Sequence, residues 1–356
     1  MNKKLLSLLT ASLLAAASTA AQGVTVFSNE NANLDVIGRL KLTLNNNQYD
    51  PDHRLAGIAR LGVEGKTKVN DYVSVFGHVL YEMAAQDVVD NDERFHIYTG
   101  WAGFDFNDFG QLSFGHMEDA YYKVSEVTDI FVDMGTAGAT YQGRTDNDYG
   151  GRKDGVALYT VEAAGFKLAA SYQFRHASKN VNYGVGVTGG YEFTIGDSAL
   201  GILAGYGHTE GLRTAAGAGL SAEDNLYYGE DKNEWGISLY YGEMGAPGIY
   251  AAAMYNWGKL DKTYVASGVE AVLSYTTPGA DWNFSLGYEY LNNSSKRKSE
   301  LRFGSRHANI SNVWTGNITY NLTSNFQIFT EAEHHASTIF NEGHENLFEL
   351  GLIYNF

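Results

Sequence analysis

Phe348-Glu349-Leu350-Gly351-Leu352-Ile353-Tyr354-Asn355-Phe356 alternates with period two and ends on an aromatic residue. In a β-strand successive side chains point to opposite faces. Phe348, Leu350, Leu352, Tyr354 and Phe356 therefore form one row, and Glu349, Gly351, Ile353 and Asn355 form the other. A bare apolar edge strand on a soluble protein invites aggregation. A row of this kind facing lipid, with Tyr354 and Phe356 at an interfacial girdle, instead closes a barrel.

The same alternation recurs along the chain. Leu34, Val36, Leu40 and Leu42 share a face opposite Asp35, Arg39, Lys41 and Thr43. Leu55, Ala59, Leu61 and Val63 alternate with Arg60, Glu64 and Lys66, and Trp282 to Tyr290 alternates aromatic or Leu with polar residues or Gly. Aromatic residues such as Tyr72, Phe106, Phe166, Tyr191, Tyr275, Tyr320 and Phe326 gather beside short turns, where amphipathic rings suit a membrane–water interface. Short turns, such as Asn107-Asp108-Phe109 and Ile195-Gly196-Asp197, alternate with long polar stretches such as Thr209 to Lys232 and Asn292 to Ala308. The pattern predicts an all-β fold, a transmembrane antiparallel up-and-down β-barrel of about 16 strands. The strands start near residues 33, 54, 72, 94, 110, 152, 166, 183, 198, 234, 249, 268, 282, 310, 325 and 346. A barrel of that size encloses water rather than a packed core.

Composition narrows the functional classes. The chain has 356 residues, 41 Gly, 3 Pro and no Cys, which removes disulfide scaffolds, Cys-ligated metals and thiol catalysis. Twenty-five basic against 41 acidic residues argue against nucleic acid, whose phosphates call for a positive surface. Asn2-Lys3-Lys4, the apolar run Leu5 to Ala17 and Thr19-Ala20-Ala21 read as a secretory signal over residues 1–21. Its removal takes away two lysines and no acid, moving the net charge from -16 to -18. Residues 22–356 then read as a single barrel domain.

Several stretches resemble the Gram-negative general diffusion porins, the trimeric family of sixteen-stranded outer-membrane barrels. Ile37-Gly38-Arg39, Ala59-Arg60-Leu61-Gly62 and Ala102-Gly103-Phe104 resemble that family's early strands. Phe109 to Gly115 resembles the strand leading into its third loop, Gly151-Arg152 with Gly155-Val156-Ala157 the strand leaving it, and Tyr354-Asn355-Phe356 its terminal signature. The resemblance implies an inward-folded third loop, here about residues 117–150, that constricts the pore. It implies a basic cluster of Arg39, Arg60 and Arg152 facing Asp129 and Asp133 on the loop, with His116 where the family commonly has another base. Parity independently turns Arg39 and Arg60 inward, because Leu40 and Leu61 face lipid. The family's Pro-Glu-Phe-Gly-Gly turn reads Val132-Asp133-Met134-Gly135-Thr136 here. The implied partners are a homotrimer, outer-membrane lipids, the barrel assembly machinery, and small hydrophilic solutes and ions in passive diffusion. No cofactor or metal is implied. Seven loop acids against Lys123 and Arg144 lead to an expectation of mild cation selectivity.

Other motifs carry less. Gly184-Val185-Gly186-Val187-Thr188-Gly189 matches a dinucleotide fingerprint in letters but lacks the strand–helix context; it reads as a strand with valines toward lipid. His334 and His335 point to opposite faces of a strand and so cannot chelate together. Two further functions stay open: a barrel hydrolase, which needs a Ser-His or Asp-His set, and a sugar- or anion-specific channel, to which Tyr121, Tyr122, Phe131 and Tyr141 could contribute an aromatic path.

Overall fold

The computed structural model describes residues 23–46, 55–84, 95–135, 152–177, 181–212, 231–259, 265–293, 309–336 and 345–356; the expected signal segment and residues 136–151 lie outside them. Seventeen strands run in chain order: β1 (Val24–Ser28), β2 (Ala32–Asn45), β3 (Leu55–Lys68), β4 (Ser74–Ala84), β5 (Phe95–Asp105), β6 (Gln111–Glu118), β7 (Arg152–Ala163), β8 (Phe166–Gln173), β9 (Val181–Ile195), β10 (Ser198–Gly211), β11 (Lys232–Tyr241), β12 (Gly248–Lys259), β13 (Val265–Thr276), β14 (Trp282–Asn293), β15 (Asn309–Asn321), β16 (Phe326–His335) and β17 (Glu345–Asn355). β2 to β17 each pair antiparallel with the next, and β17 pairs back onto β2. This closed ring of sixteen is the expected barrel, and each strand begins within three residues of its expected start. At five residues, β1 is too short for its alternation to register in the sequence.

Closure is divided along one edge of β2. Arg39 to Asn45 pair with β17, while Asn33 to Val36 pair with β1. Between them, the Phe356 N–H donates to the Gly38 carbonyl at 3.0 Å and the Gly38 N–H donates to the Phe356 carbonyl at 2.6 Å. β1 thus continues the row where β17 ends. The Phe356 ring lies over Gly38, in space that any Cβ there would take, and stacks against Tyr354 with centroids 5.9 Å apart.

Polarity is inverted relative to a soluble sheet. Leu61, Leu273, Leu286, Trp314, Leu350 and Leu352 are exposed, while Glu270, Glu289, Thr315, Asn317, Glu331 and Glu349 are buried. An apolar exterior with a polar interior is the pattern of a barrel in lipid around an aqueous lumen. At the short-turn end, Phe166, Tyr191 and Phe193 pack edge to face, and Trp282 meets Tyr320 at 4.5 Å. A second set lies toward the long connections, in Tyr81–Phe95, Tyr206–Trp235 and Tyr288–Trp314. The sequence reading located only the first girdle. Gly184 and Gly186 sit inside β9 with Val187 exposed opposite them, as the strand reading of that motif expected.

Replacing Gly38 with Val should displace the Phe356 ring and cost about 1–3 kcal/mol, the usual penalty for overpacking. We expect a lower yield of heat-modifiable, membrane-assembled protein at low expression, as for deletion of Phe356. Migration of unheated and boiled samples on a denaturing gel measures it.

Candidate functional site

Between β6 and β7 the chain turns inward and lies on the barrel wall. Asp119 starts the turn: its Oδ1 accepts from the Tyr121 and Tyr122 N–H groups at 3.0 and 3.2 Å, and its Oδ2 takes the Lys153 ammonium at 2.7 Å. One helical turn follows (α1, Tyr122–Ser125), then a 3-10 turn over Glu126–Thr128. The loop's apolar side chains face the wall. Tyr121, Tyr122 and Val124 pack with Met254, and Val127 and Phe131 pack with Leu203, Tyr240, Tyr250, Ala252 and Val272. Glycines make the seat: a Cβ at Gly236 would lie 2.8 Å from Val124 Cγ1, and one at Gly287 would lie 2.6 Å from Phe131 Cε2. Polar contacts complete it. The Thr188 hydroxyl donates to the Ala120 carbonyl at 2.7 Å, the Tyr250 hydroxyl donates to the Val127 carbonyl at 2.7 Å, and the Thr128 hydroxyl donates to Glu270.

The loop tip is held by Glu331 on β16. Its carboxylate accepts the N–H groups of Val132, Asp133 and Met134 at 2.6, 2.9 and 3.0 Å, and Asn317 Nδ2 at 3.0 Å. Glu333 takes the Gly135 N–H at 3.0 Å. Lys41 on β2 forms an ion pair with Asp133. These acids lie directly across strands from others: Glu331 faces Glu349, and Glu270 faces Glu289. Like charges so placed oppose strand pairing, and backbone N–H donors and Lys41 offset that cost.

A basic row lies on the inner wall. Arg39 and Arg60 are direct cross-strand neighbours. Arg39 Nε donates to Asn355 Oδ1 at 2.9 Å, and Arg60 Nε meets Glu82 Oε2 at 2.7 Å. Arg152, buried, lies 3.6 Å from Glu118. The Tyr98 ring stands between two of these guanidiniums, with Arg60 Cζ 3.6 Å and Arg152 Cζ 3.7 Å from its centroid.

The structure therefore brings Arg39, Arg60 and Arg152 to one wall and Asp129 and Asp133 to the loop. The two aspartates differ. Asp133 is engaged by Lys41, whereas Asp129 accepts the Tyr122 hydroxyl at 2.7 Å. Burial holds the Asp129 carboxyl above its ordinary range; Glu126 and Glu118 add to the rise, against the Tyr122 hydrogen bond and Arg152. His116 lies opposite a bulge in β7, and its Nδ1 is 2.8 Å from Asp154. His334 bonds Asn346 and His335 bonds Glu333, so the two histidines do not converge. Asp146, Asp148, Arg144 and Tyr141 lie outside the described residues. Sequence reasoning missed Lys41, Glu331 and Tyr98. Parity placed Lys41 inward, but no local signal names its partner on a loop 92 positions away.

Replacing Glu331 with Leu removes the carboxylate that accepts three backbone N–H groups of the loop tip, each hydrogen bond to a charged group being worth about 1.5–3 kcal/mol. The loop should loosen while the barrel, whose ladder is untouched, keeps its heat resistance. Single-channel recordings should show more frequent brief closures than wild type.

A family model described as Gram-negative porin matches residues 8–338. Outer membrane porin protein LC of Enterobacteria phage PA-2 is 28% identical over 262 residues, covering 70% of this chain and 69% of that protein. Among solved structures, Salmonella typhi OmpF superposes with a TM-score of 0.73 at 17% identity, covering 93% of this chain and all of that one. The trimer form of OmpT from Vibrio cholerae superposes at 0.63 and 16% identity, covering 92% of this chain and all of that one. With a closed sixteen-stranded ring, an apolar exterior and a polar interior narrowed by one long loop, the chain belongs to the Gram-negative porin family: a channel of the outer membrane, not an enzyme.

Proposed function

We propose that this porin is a general diffusion channel for small hydrophilic solutes and ions, mildly cation-selective, with its constriction between the inward loop and the wall of Arg39, Arg60 and Arg152. The observation that supports the reading is the opposition of charge: Glu118 at the end of β6 lies 3.6 Å from Arg152, and Asp129 on the loop feels the Arg152 charge. Facing rows of fixed charge tune selectivity while hydrated solutes pass, and fixed charge of one sign concentrates the opposite ion nearby. Cation preference follows from the chain's excess of acids, 41 against 25 bases. It stays mild because Lys41 offsets Asp133 and the arginines face the loop. His116 is not part of this constriction in our reading. The solved trimer form of a structural relative supports assembly of this chain as a homotrimer.

In a potassium chloride gradient, Asp129→Asn should move the reversal potential toward anions, and more than Asp133→Asn does. Arg39→Gln with Arg60→Gln should move it the opposite way. Both shifts should shrink at 1 M salt, where the screening length is about 3 Å. Because the Asp129 carboxyl titrates above the ordinary carboxylate range, it is neutralised as the pH falls through that raised value. Cation preference should therefore begin to fall before ordinary carboxylates titrate, and Asp129→Asn should remove that early step. No shift from either pair at low salt refutes this constriction. Block of the conductance by one added oligosaccharide, and not by others, marks a substrate-specific channel instead.

A further inference from the structure

β5 contains one residue more than its partner requires. Thr99 pairs with Leu80 and Ile97 with Tyr81, so Tyr98 is the extra residue of a β-bulge. Ile97 is exposed and Thr99 is buried, and the bulge lets Tyr98 turn to the lumen beside Thr99 instead of taking the lipid-facing parity. Bulges re-aim side chains in this way and cluster near functional sites. The re-aimed ring receives Arg60 at 3.6 Å and Arg152 at 3.7 Å from its centroid. Two guanidiniums at those distances cannot share one face, so they lie on opposite faces of the ring.

We propose that Tyr98 is a positioning residue of the constriction, a spacer whose two π-faces hold Arg60 and Arg152 in the lumen as a fixed cation–aromatic–cation stack. The inference rests on the channel reading above. Each arginine also has a carboxylate beside it, Glu82 at 2.7 Å from Arg60 and Glu118 at 3.6 Å from Arg152. Ion pairing alone would draw each guanidinium toward its own acid, Arg152 toward the root of the loop. The ring offers a competing attraction through its quadrupole and sets the two cations at a constant spacing. The stack spans three strands that are not neighbours, β3, β5 and β7. It therefore ties the basic row across the place where the chain leaves the wall to form the loop. The role belongs to the aromatic faces and not to the hydroxyl.

The test is coupling between Tyr98 and Arg152, read as the reversal potential in a potassium chloride gradient at low salt. In the wild type, Arg152→Gln shifts that potential by a measurable amount. In a Tyr98→Leu background the same replacement should shift it by less than half as much, because Arg152 no longer stands in the lumen. In a Tyr98→Phe background the full shift should return. If Tyr98→Leu does not assemble, judged by heat-modifiable migration, Tyr98→Thr provides the non-aromatic background with the same expectation. Equal shifts in the aromatic and non-aromatic backgrounds overturn the proposal, as does a Tyr98→Phe background that behaves like Tyr98→Leu. A wild-type protein that forms no conducting channel refutes the channel reading itself, which separates the two failures.

Discussion

In the hydrocarbon core of a bilayer no water is available to the backbone, so every strand edge must be hydrogen-bonded by another strand. The ring of β2 to β17 meets that condition at a single seam, where β2 gives part of one edge to β17 and the rest to β1, with the Phe356–Gly38 pair between them. The rest of the molecule follows from this closure. Outward positions must be apolar, which places Leu350, Leu352 and their counterparts on the surface. Sixteen strands enclose too wide a space for side chains to fill, so inward positions can be polar and charged. An arginine on the lipid face near the midplane would cost about 2–4 kcal/mol; facing the lumen, Arg39 and Arg60 avoid that cost.

A polar wall creates a difficulty that the inward loop resolves. Glu331 against Glu349 and Glu270 against Glu289 are repulsive pairs on adjacent strands. The loop supplies what they lack: backbone N–H groups of Val132, Asp133 and Met134 to Glu331, and the Thr128 hydroxyl to Glu270. In return the wall gives the loop glycine-lined space for Val124 and Phe131 and acceptors for its tip. The loop's path is thus set by two kinds of complementarity, apolar at its helical turn and charge-assisted at its tip. On β2 and β3, next to β17, Arg39 against Arg60 is a repulsive pair of the other sign. A fold that places unlike rows face to face across water keeps a field there.

How much of this was legible in the sequence depends on the range of the physics. Period-two alternation is local, so the strands, the turns and the inward direction of Arg39 and Arg60 could be read from neighbours such as Leu40 and Leu61. The terminal row ending at Phe356 was equally plain, but the requirement for Gly38 beneath its ring was not, because the two are 318 positions apart. Asp129 and Asp133 looked equivalent four residues apart. They differ because one meets Lys41 on a distant strand and the other meets Tyr122 within the loop. Tyr98 was invisible for a different reason: a bulge breaks parity, and parity was the only instrument for orientation. Its partners sit on two other strands, and nothing adjacent to it in sequence marks the break.

The separation between outer and inner rows also explains how selectivity can change without the barrel changing. Lipid contact, the girdles and the backbone ladder carry closure, and the side chains of Arg60, Tyr98, Arg152 and Asp129 take no part in them. Exchanging an inner charge alters the field in the lumen, while the outer rows and the hydrogen-bonded seam remain as they were. The exceptions are residues that serve both purposes. Glu331 belongs to a spanning strand and also fixes the loop tip, and Lys41 lies on the seam strand and also engages Asp133. At such positions a change of charge moves the loop as well as the field, so conductance and selectivity become coupled there, whereas at Asp129 they can vary separately.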